Sequence, residues 1–185
     1  MGNNSEKSKK GGVTLYHASP KRGLKEFTPR RKSRRQEGDP PRVYATPEKK
    51  IAAGFIIRPT DDWCVYGSYD DSTARTWSLV VGDEKKFWKL ENKGGSLYTL
   101  PRQTFRFETG IGLGKDEWFS EEKVPVLAEE KWVSACQAML HYGVKIYFLP
   151  SGKFKEFKSL CWEEQEGLCK KATSRKDGKS YNIEF

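Results

Sequence analysis

Two histidines and four cysteines are all that the chain offers for metal ligation or thiol chemistry. Cys64, Cys136, Cys161 and Cys169 include no Cys-x-x-Cys pair. With only His17 and His141 beside them they make no zinc set of recognisable spacing. Long apolar runs are also missing, and no stretch approaches the ~18–20 residues that a membrane-spanning helix needs. The first residues, MGNNSEKSKKGG, lack the apolar core of a secretory signal. The cysteines are therefore expected to be free thiols and the protein intracellular, in the cytoplasm. Met1-Gly2 opens like a myristoylation site, but Glu6 stands where Ser or Thr is required, with Ser5 one place early. Nucleotide loops of the familiar kinds are absent too. Gly110–Trp118, GIGLGKDEW, is rich in glycine, yet Lys115 is not followed by the Ser or Thr that would hold magnesium. Its spacing does not match the dinucleotide fingerprint either, so it reads as a mobile lid or a tight turn.

What is abundant is positive charge, in one place. The chain of 185 residues carries a net charge of +9. Residues 1–50 hold 14 Lys/Arg against 5 Asp/Glu, which leaves 20 of each for the remainder. PRRKSRRQ alone contains Arg30, Arg31, Lys32, Arg34 and Arg35. Such a cluster attracts phosphate on a dinucleotide, a nucleic acid or an acidic membrane surface. Read without a ligand, it is a solvated loop that aids solubility, and it contains no aromatic residue to stack on bases.

Hydrophobic residues at 36% and aromatics at 13% suffice for one core-forming domain. Residues 1–12 are expected to be a disordered basic leader, and 13–185 a single domain. Val13–His17 reads as a strand and Gly23–Phe27 as a short helical turn with Leu24 and Phe27 inward. Arg30–Pro41 is a loop and Arg42–Ala45 a strand. Thr46-Pro47-Glu48-Lys49 is a helix start, with Thr46 as cap and Pro47 in the first turn. The helix Pro47–Ile57 is expected to bury Ile51, Ala52, Phe55 and Ile56. Up to Asn92 the chain is rich in aromatics and turns, with strands at Trp63–Tyr66 and Thr76–Val81 and turns at Asp70-Asp71 and Gly82-Asp83. Ser96–Leu100 is a strand with Leu97 and Tyr98 on opposite faces, and Phe105 and Phe107 mark an edge strand. Phe119–Leu127 is extended, with acidic residues before its apolar run. Ala128–Tyr142 has helical spacing and a Gly143 stop, with Trp132, Cys136, Met139 and Leu140 on one side. Val144–Leu149 is a strand, Phe154–Cys169 a helix, and the last residues form an edge strand. There is no internal repeat, and the six tryptophans read as packing or partner contacts.

Three pieces carry chemistry by their order. A strand delivers Tyr16-His17-Ala18-Ser19, a second delivers Val43-Tyr44-Ala45-Thr46 before a helix, and Ser120-Glu121-Glu122 precedes Val124–Leu127. Taken singly, each has a plain reading: a strand-end histidine with satisfied hydrogen bonds, a packed tyrosine, two solvated glutamates. Together they resemble the His–Tyr–Glu pattern of the ADP-ribosyltransferase superfamily, closest to its small rifampicin ADP-ribosyltransferase and tRNA 2′-phosphotransferase members. About a dozen positions between Val13 and Leu149 carry the resemblance. Ala18 departs from it, standing where those members have glycine.

The resemblance implies an α+β fold with a split mixed β-sheet, helices on its outer faces and the cleft between its halves. It implies NAD as co-substrate and an ADP-ribose acceptor that the sequence does not identify. His17 is then expected to bond the adenosine ribose with Ser19 nearby, and Tyr44 to stack on nicotinamide. Glu121, or failing it Glu122, is expected to bind the other ribose and stabilise the developing sugar cation. Glu108 competes for that role. Arg30, Arg31 and Arg34 lie where they could meet the pyrophosphate, or an RNA phosphate in the phosphotransferase variant. Two other readings stand beside this enzyme: a catalytically silent domain of the same fold that binds nucleic acid through its basic N-terminal third, and a plain interaction module.

Overall fold

Alternating apolar residues divide the strands between three cores. The computed structural model describes residues 14–31, 40–68, 75–107 and 116–185. Its first strands are β1 (Leu15–Ser19), β2 (Glu26–Phe27), β3 (Val43–Ala45), β4 (Cys64–Ser68), β5 (Trp77–Val81) and β6 (Gly95–Leu100). They are followed by β7 (Trp118–Ser120), β8 (Val124–Pro125), β9 (Ala128–Trp132), β10 (Lys145–Phe148), β11 (Thr173–Ser174) and β12 (Ser180–Asn182). The helices are α1 (Lys49–Gly54), continued by a 3-10 turn over Phe55–Ile57, then α2 (Glu84–Glu91), α3 (Ala135–His141), α4 (Phe154–Ser159) and α5 (Trp162–Lys171). The fold is α+β. None of the described helices is long and apolar enough to cross a membrane.

One sheet is antiparallel, in the order β1-β6-β9. The free edge of β1 takes up β3 through the bridge Tyr16↔Thr46, and β7 pairs with β3 beyond it. The second sheet is mixed, in the order β11-β12-β10-β5-β4, with β10 parallel to both β5 and β12. A short ladder joins β2 to β8.

The period of two along each strand sets its two faces. On β6, Leu97 joins the core between the sheets, while Tyr98 and Leu100 join Leu15, Val43 and Trp118 on the other face. Leu79, Val81, Ile146 and Phe148 of the second sheet face the same central core as Leu97. Val80 and Tyr147 point away, onto Phe157 of α4 and Cys169 of α5. The central core also takes Ile51 of α1, Phe87 of α2 and Met139 of α3. Three helices thus fill the space between the sheets; only α4 and α5 occupy the outer position expected of all.

Local expectations yield where tertiary pairing competes with them. Glu26 and Phe27 are strand rather than helical turn, because their backbone pairs with β8. Helix α1 begins at Lys49, later than Pro47, since Thr46 is bridged to Tyr16 and its hydroxyl accepts from the Glu48 N–H at 3.3 Å. Helix α2 was not expected: its apolar spacing is thin, but Asp83 caps it by accepting from the Lys86 N–H at 2.9 Å. Ala128–Trp132 is the strand β9, and the helix starts only after Ser134, whose hydroxyl caps it through the Gln137 N–H at 3.0 Å. Good helix formers such as Glu129, Glu130 and Lys131 are overridden there by pairing with β6. The expected Phe154–Cys169 helix breaks at the extended Leu160. Phe105 and Phe107 form no ladder; Arg106 alone bridges Phe119. Strand β12 lies inside its sheet and β11 is the edge. The leader, the Asp70-Asp71 turn, Glu108, the glycines of Gly110–Lys115, and Lys32, Arg34 and Arg35 lie outside the described residues.

Candidate functional site

The cleft opens where β1 meets β3. It has a volume of about 730 Å³ and takes Tyr16, His17, Ala18 and Ser19 from β1 and Val43, Tyr44 and Ala45 from β3, with Thr46 following. Its remaining walls come from α1, the Arg58–Thr60 segment, the chain from Lys21 to Arg31, and Asp116-Glu117.

The two strand-end residues are linked directly. His17 Nδ1–H donates to the Tyr44 carbonyl oxygen at 2.6 Å. In the neutral ring this leaves Nε2 as the accepting nitrogen. The imidazole leans on Phe27, with centroids 4.3 Å apart. Ser19 is buried, and its hydroxyl accepts from the Lys21 N–H at 3.1 Å, which turns the chain off β1 into the cleft wall. That wall is fastened by Glu129, which accepts from Gly23 N–H at 2.7 Å, Ser96 hydroxyl at 2.7 Å and Tyr98 hydroxyl at 3.1 Å. The Gly23 bond first, then that of Ser96, holds the Glu129 carboxyl below its ordinary value. Arg22 adds a bond from Nη2 to the Trp132 carbonyl at 2.7 Å.

The carboxylates divide by register. On the β3–β7 ladder, Val43 faces Ser120 and Ala45 faces Trp118. One step beyond each end of the ladder, Glu117 therefore falls opposite Thr46 and Glu121 opposite Arg42. Glu121 accepts from Arg42 Nε at 3.3 Å and Arg106 Nη2 at 2.9 Å. Both guanidiniums also lie over the Phe119 ring, at 3.9 and 5.1 Å. Glu121 and Glu122 are exposed and do not line the cleft, whereas Asp116 and Glu117 do. Four residues of extended chain put roughly 13 Å between positions 117 and 121. Asp116 is 5% exposed and ion-paired to Arg75 Nη1 at 2.9 Å. Glu117, half-buried, is the carboxylate on the same row of the sheet as Tyr16 and Thr46.

Of the residues expected from sequence, the cleft thus gathers His17, Ser19, Tyr44, Arg30 and Arg31. Arg34 and Glu108 lie outside the described residues. Asp116 and Glu117 were missed, although Asp-Glu before Trp118–Ser120 repeats the acid-before-strand pattern that drew notice to Glu121 and Glu122. Lys21, Arg42, Phe55 and Arg58 also line the cleft without having been anticipated.

All four cysteines are free thiols. Burial pushes the Cys64 and Cys169 thiols up to about 12 and Cys136 to about 11, which suppresses the thiolate at neutral pH. Among the described residues no group of three or more His, Cys, Asp or Glu is placed to hold a metal ion. No family model, curated protein or solved structure matches the chain. The site therefore has to be read from its own groups: an imidazole, a phenol, a partly shielded carboxylate and several guanidiniums around one cleft.

Proposed function

We propose that this cleft binds NAD and that the protein is an ADP-ribosyltransferase-like enzyme acting on an acceptor not yet identified. One observation carries the reading: His17 and Tyr44, 27 positions apart, are hydrogen-bonded to each other and line one cleft with a carboxylate, Glu117. Two sheets packed on one core in an α+β fold are compatible with this reading, although the cleft opens at the β1–β3 edge of one sheet and not between the two halves as the resemblance implied. The volume of about 730 Å³ lies within the range of small-molecule sites.

In such a transfer the glycosidic C1′–N bond breaks with its electron pair going to the nicotinamide ring, while the acceptor nucleophile bonds C1′ and gives up its proton. Tyr44 presents a flat ring to a flat ring. His17, oriented by the bond from its Nδ1–H to the Tyr44 carbonyl, sets its imidazole at the cleft wall beside a ribose hydroxyl. Arg30 and Arg31 supply positive charge for the pyrophosphate. The carboxylate that stabilises positive charge on the sugar is Glu117 in this reading, because it lines the cleft, whereas Glu121 lies outside it.

Thermal shift with NAD tests it. Stabilisation of the wild type that is lost in Tyr44→Ala and His17→Ala supports the assignment, and none at millimolar NAD overturns it. Nicotinamide release then separates the carboxylates. Glu117→Gln is expected to slow it by about 10²–10³-fold while NAD still stabilises the fold, and Glu121→Gln to leave the rate within a few-fold.

A second reading is favoured by the exposed Lys21, Arg30, Arg31 and Arg58 around the cleft. Followed in the sequence by Lys32, Arg34 and Arg35, they suit a silent domain that binds nucleic acid. Such a protein leaves NAD intact, and its affinity falls linearly with salt on logarithmic axes.

A further inference from the structure

The shelf that follows α1 has no role in the NAD assignment. Phe55 is 40% exposed although Ile51, Ile56 and Ile57 around it are buried. Phe55, Arg58, Pro59 and Thr60 all line the cleft.

Phe55 is held in place. Its ring meets Tyr66 edge-on, 5.7 Å between centroids at 89°. The Tyr66 hydroxyl donates to the Lys50 carbonyl at 2.5 Å. Gly54 makes room for this arrangement, since a Cβ there would lie 2.2 Å from Tyr66 Cζ. Three residues on, Arg58 has a left-handed backbone with φ of +51°, a conformation costly for any side chain but glycine. Its N–H donates to the Phe55 carbonyl at 3.1 Å, so the ring and the guanidinium belong to one turn. Arg58 is exposed and forms no ion pair among the described residues. A supported aromatic face with a guanidinium on the same turn matches a flat base carrying a phosphate.

The geometry points to a nucleobase-phosphate subsite at Phe55 and Arg58 that takes the adenosine-phosphate half of a dinucleotide, Phe55 stacking on the base and Arg58 holding the phosphate. For the identity of the dinucleotide this rests on the NAD reading. Tyr44 and Phe55 then serve the two ring systems of one ligand.

Calorimetric titration with AMP, nicotinamide mononucleotide, NAD and a short single-stranded oligoadenylate tests the subsite. Phe55→Leu keeps apolar bulk without the ring, Phe55→Tyr restores the ring, and Arg58→Gly removes the guanidinium at a position glycine suits. AMP affinity is expected to fall at least tenfold in Phe55→Leu and Arg58→Gly and to return in Phe55→Tyr. Nicotinamide mononucleotide is expected to respond to Tyr44→Ala instead. AMP binding indifferent to the shelf substitutions, or NAD bound through Tyr44 with no measurable AMP binding, overturns the subsite and leaves the NAD reading standing. AMP bound through Phe55 and Arg58 with NAD never cleaved and Tyr44→Ala without effect upholds the subsite and removes the transferase. Oligoadenylate bound through Phe55 without AMP overturns the subsite in favour of a nucleic-acid track.

Discussion

Arg58 and Glu129 show at the residue scale how local chemistry shapes the cleft wall. A left-handed backbone costs roughly 1–2 kcal/mol at a residue bearing a side chain. Net of the extra freedom that glycine gives the unfolded chain, Arg58→Gly is therefore expected to stabilise the fold by about 0.5–1 kcal/mol. That corresponds to a rise in Tm of about 1–4 °C by calorimetry, while under the proposed subsite AMP affinity drops. Glu129 predicts a pH effect. Its folded carboxyl is held below its ordinary 4.5, so its stabilisation is fully present above that pH and is lost as pH falls through the folded value. Acid titration of Glu129→Gln should lose the part of the destabilisation below about pH 4.5 that this group causes, and an unchanged acid limb would refute the role. His17 and Tyr44 were legible in sequence because each sits at an apolar run that had to be a strand. Glu117 was not, because the sheet register that separates it from Glu121 is a property of pairing with β3, which no local pattern encodes.

At the scale of elements, α1 and its 3-10 turn are the hinge between sequence pattern and site. Apolar spacing correctly marked Ile51, Ala52 and Ile56 as inward, but it also buried Phe55, since a helical period cannot foresee the tightening after Gly54. Gly54→Ala tests that geometry, because the added methyl meets the ring of Tyr66. Overpacking of this kind typically costs 1–3 kcal/mol, which urea denaturation will measure, and the displaced Tyr66 should carry Phe55 out of position. The start of α1 is tied to the first sheet by Lys49, whose Nζ donates to Glu130 at 3.0 Å and to Tyr142 at 3.3 Å. Strand β9, which carries Glu130, was illegible for the opposite reason from β1: its AEEKW sequence favours helix, and only the neighbouring β6 makes it a strand.

Across the whole molecule, the three cores leave the four thiols in different surroundings. Cys161 is exposed, Cys64 and Cys169 are buried and Cys136 is intermediate. A thiol reagent should therefore react rapidly with one cysteine in the native protein and with all four in denaturant, and fast native labelling of more than one would contradict this burial. The same organisation has a kinetic side. The cleft joins β1 and β3 to a segment far along the chain, since β7 pairs with β3 and Asp116 and Glu117, just ahead of β7, line the cleft. Closing so long a loop is entropically expensive, and the contacts that reward it come late in folding. If the proposed cleft takes a nucleotide, the ligand can grip its site only after that closure, so at saturation it should slow unfolding and leave the refolding rate nearly unchanged. Occupancy would then act as a latch on the finished structure, lengthening its lifetime without helping to make it.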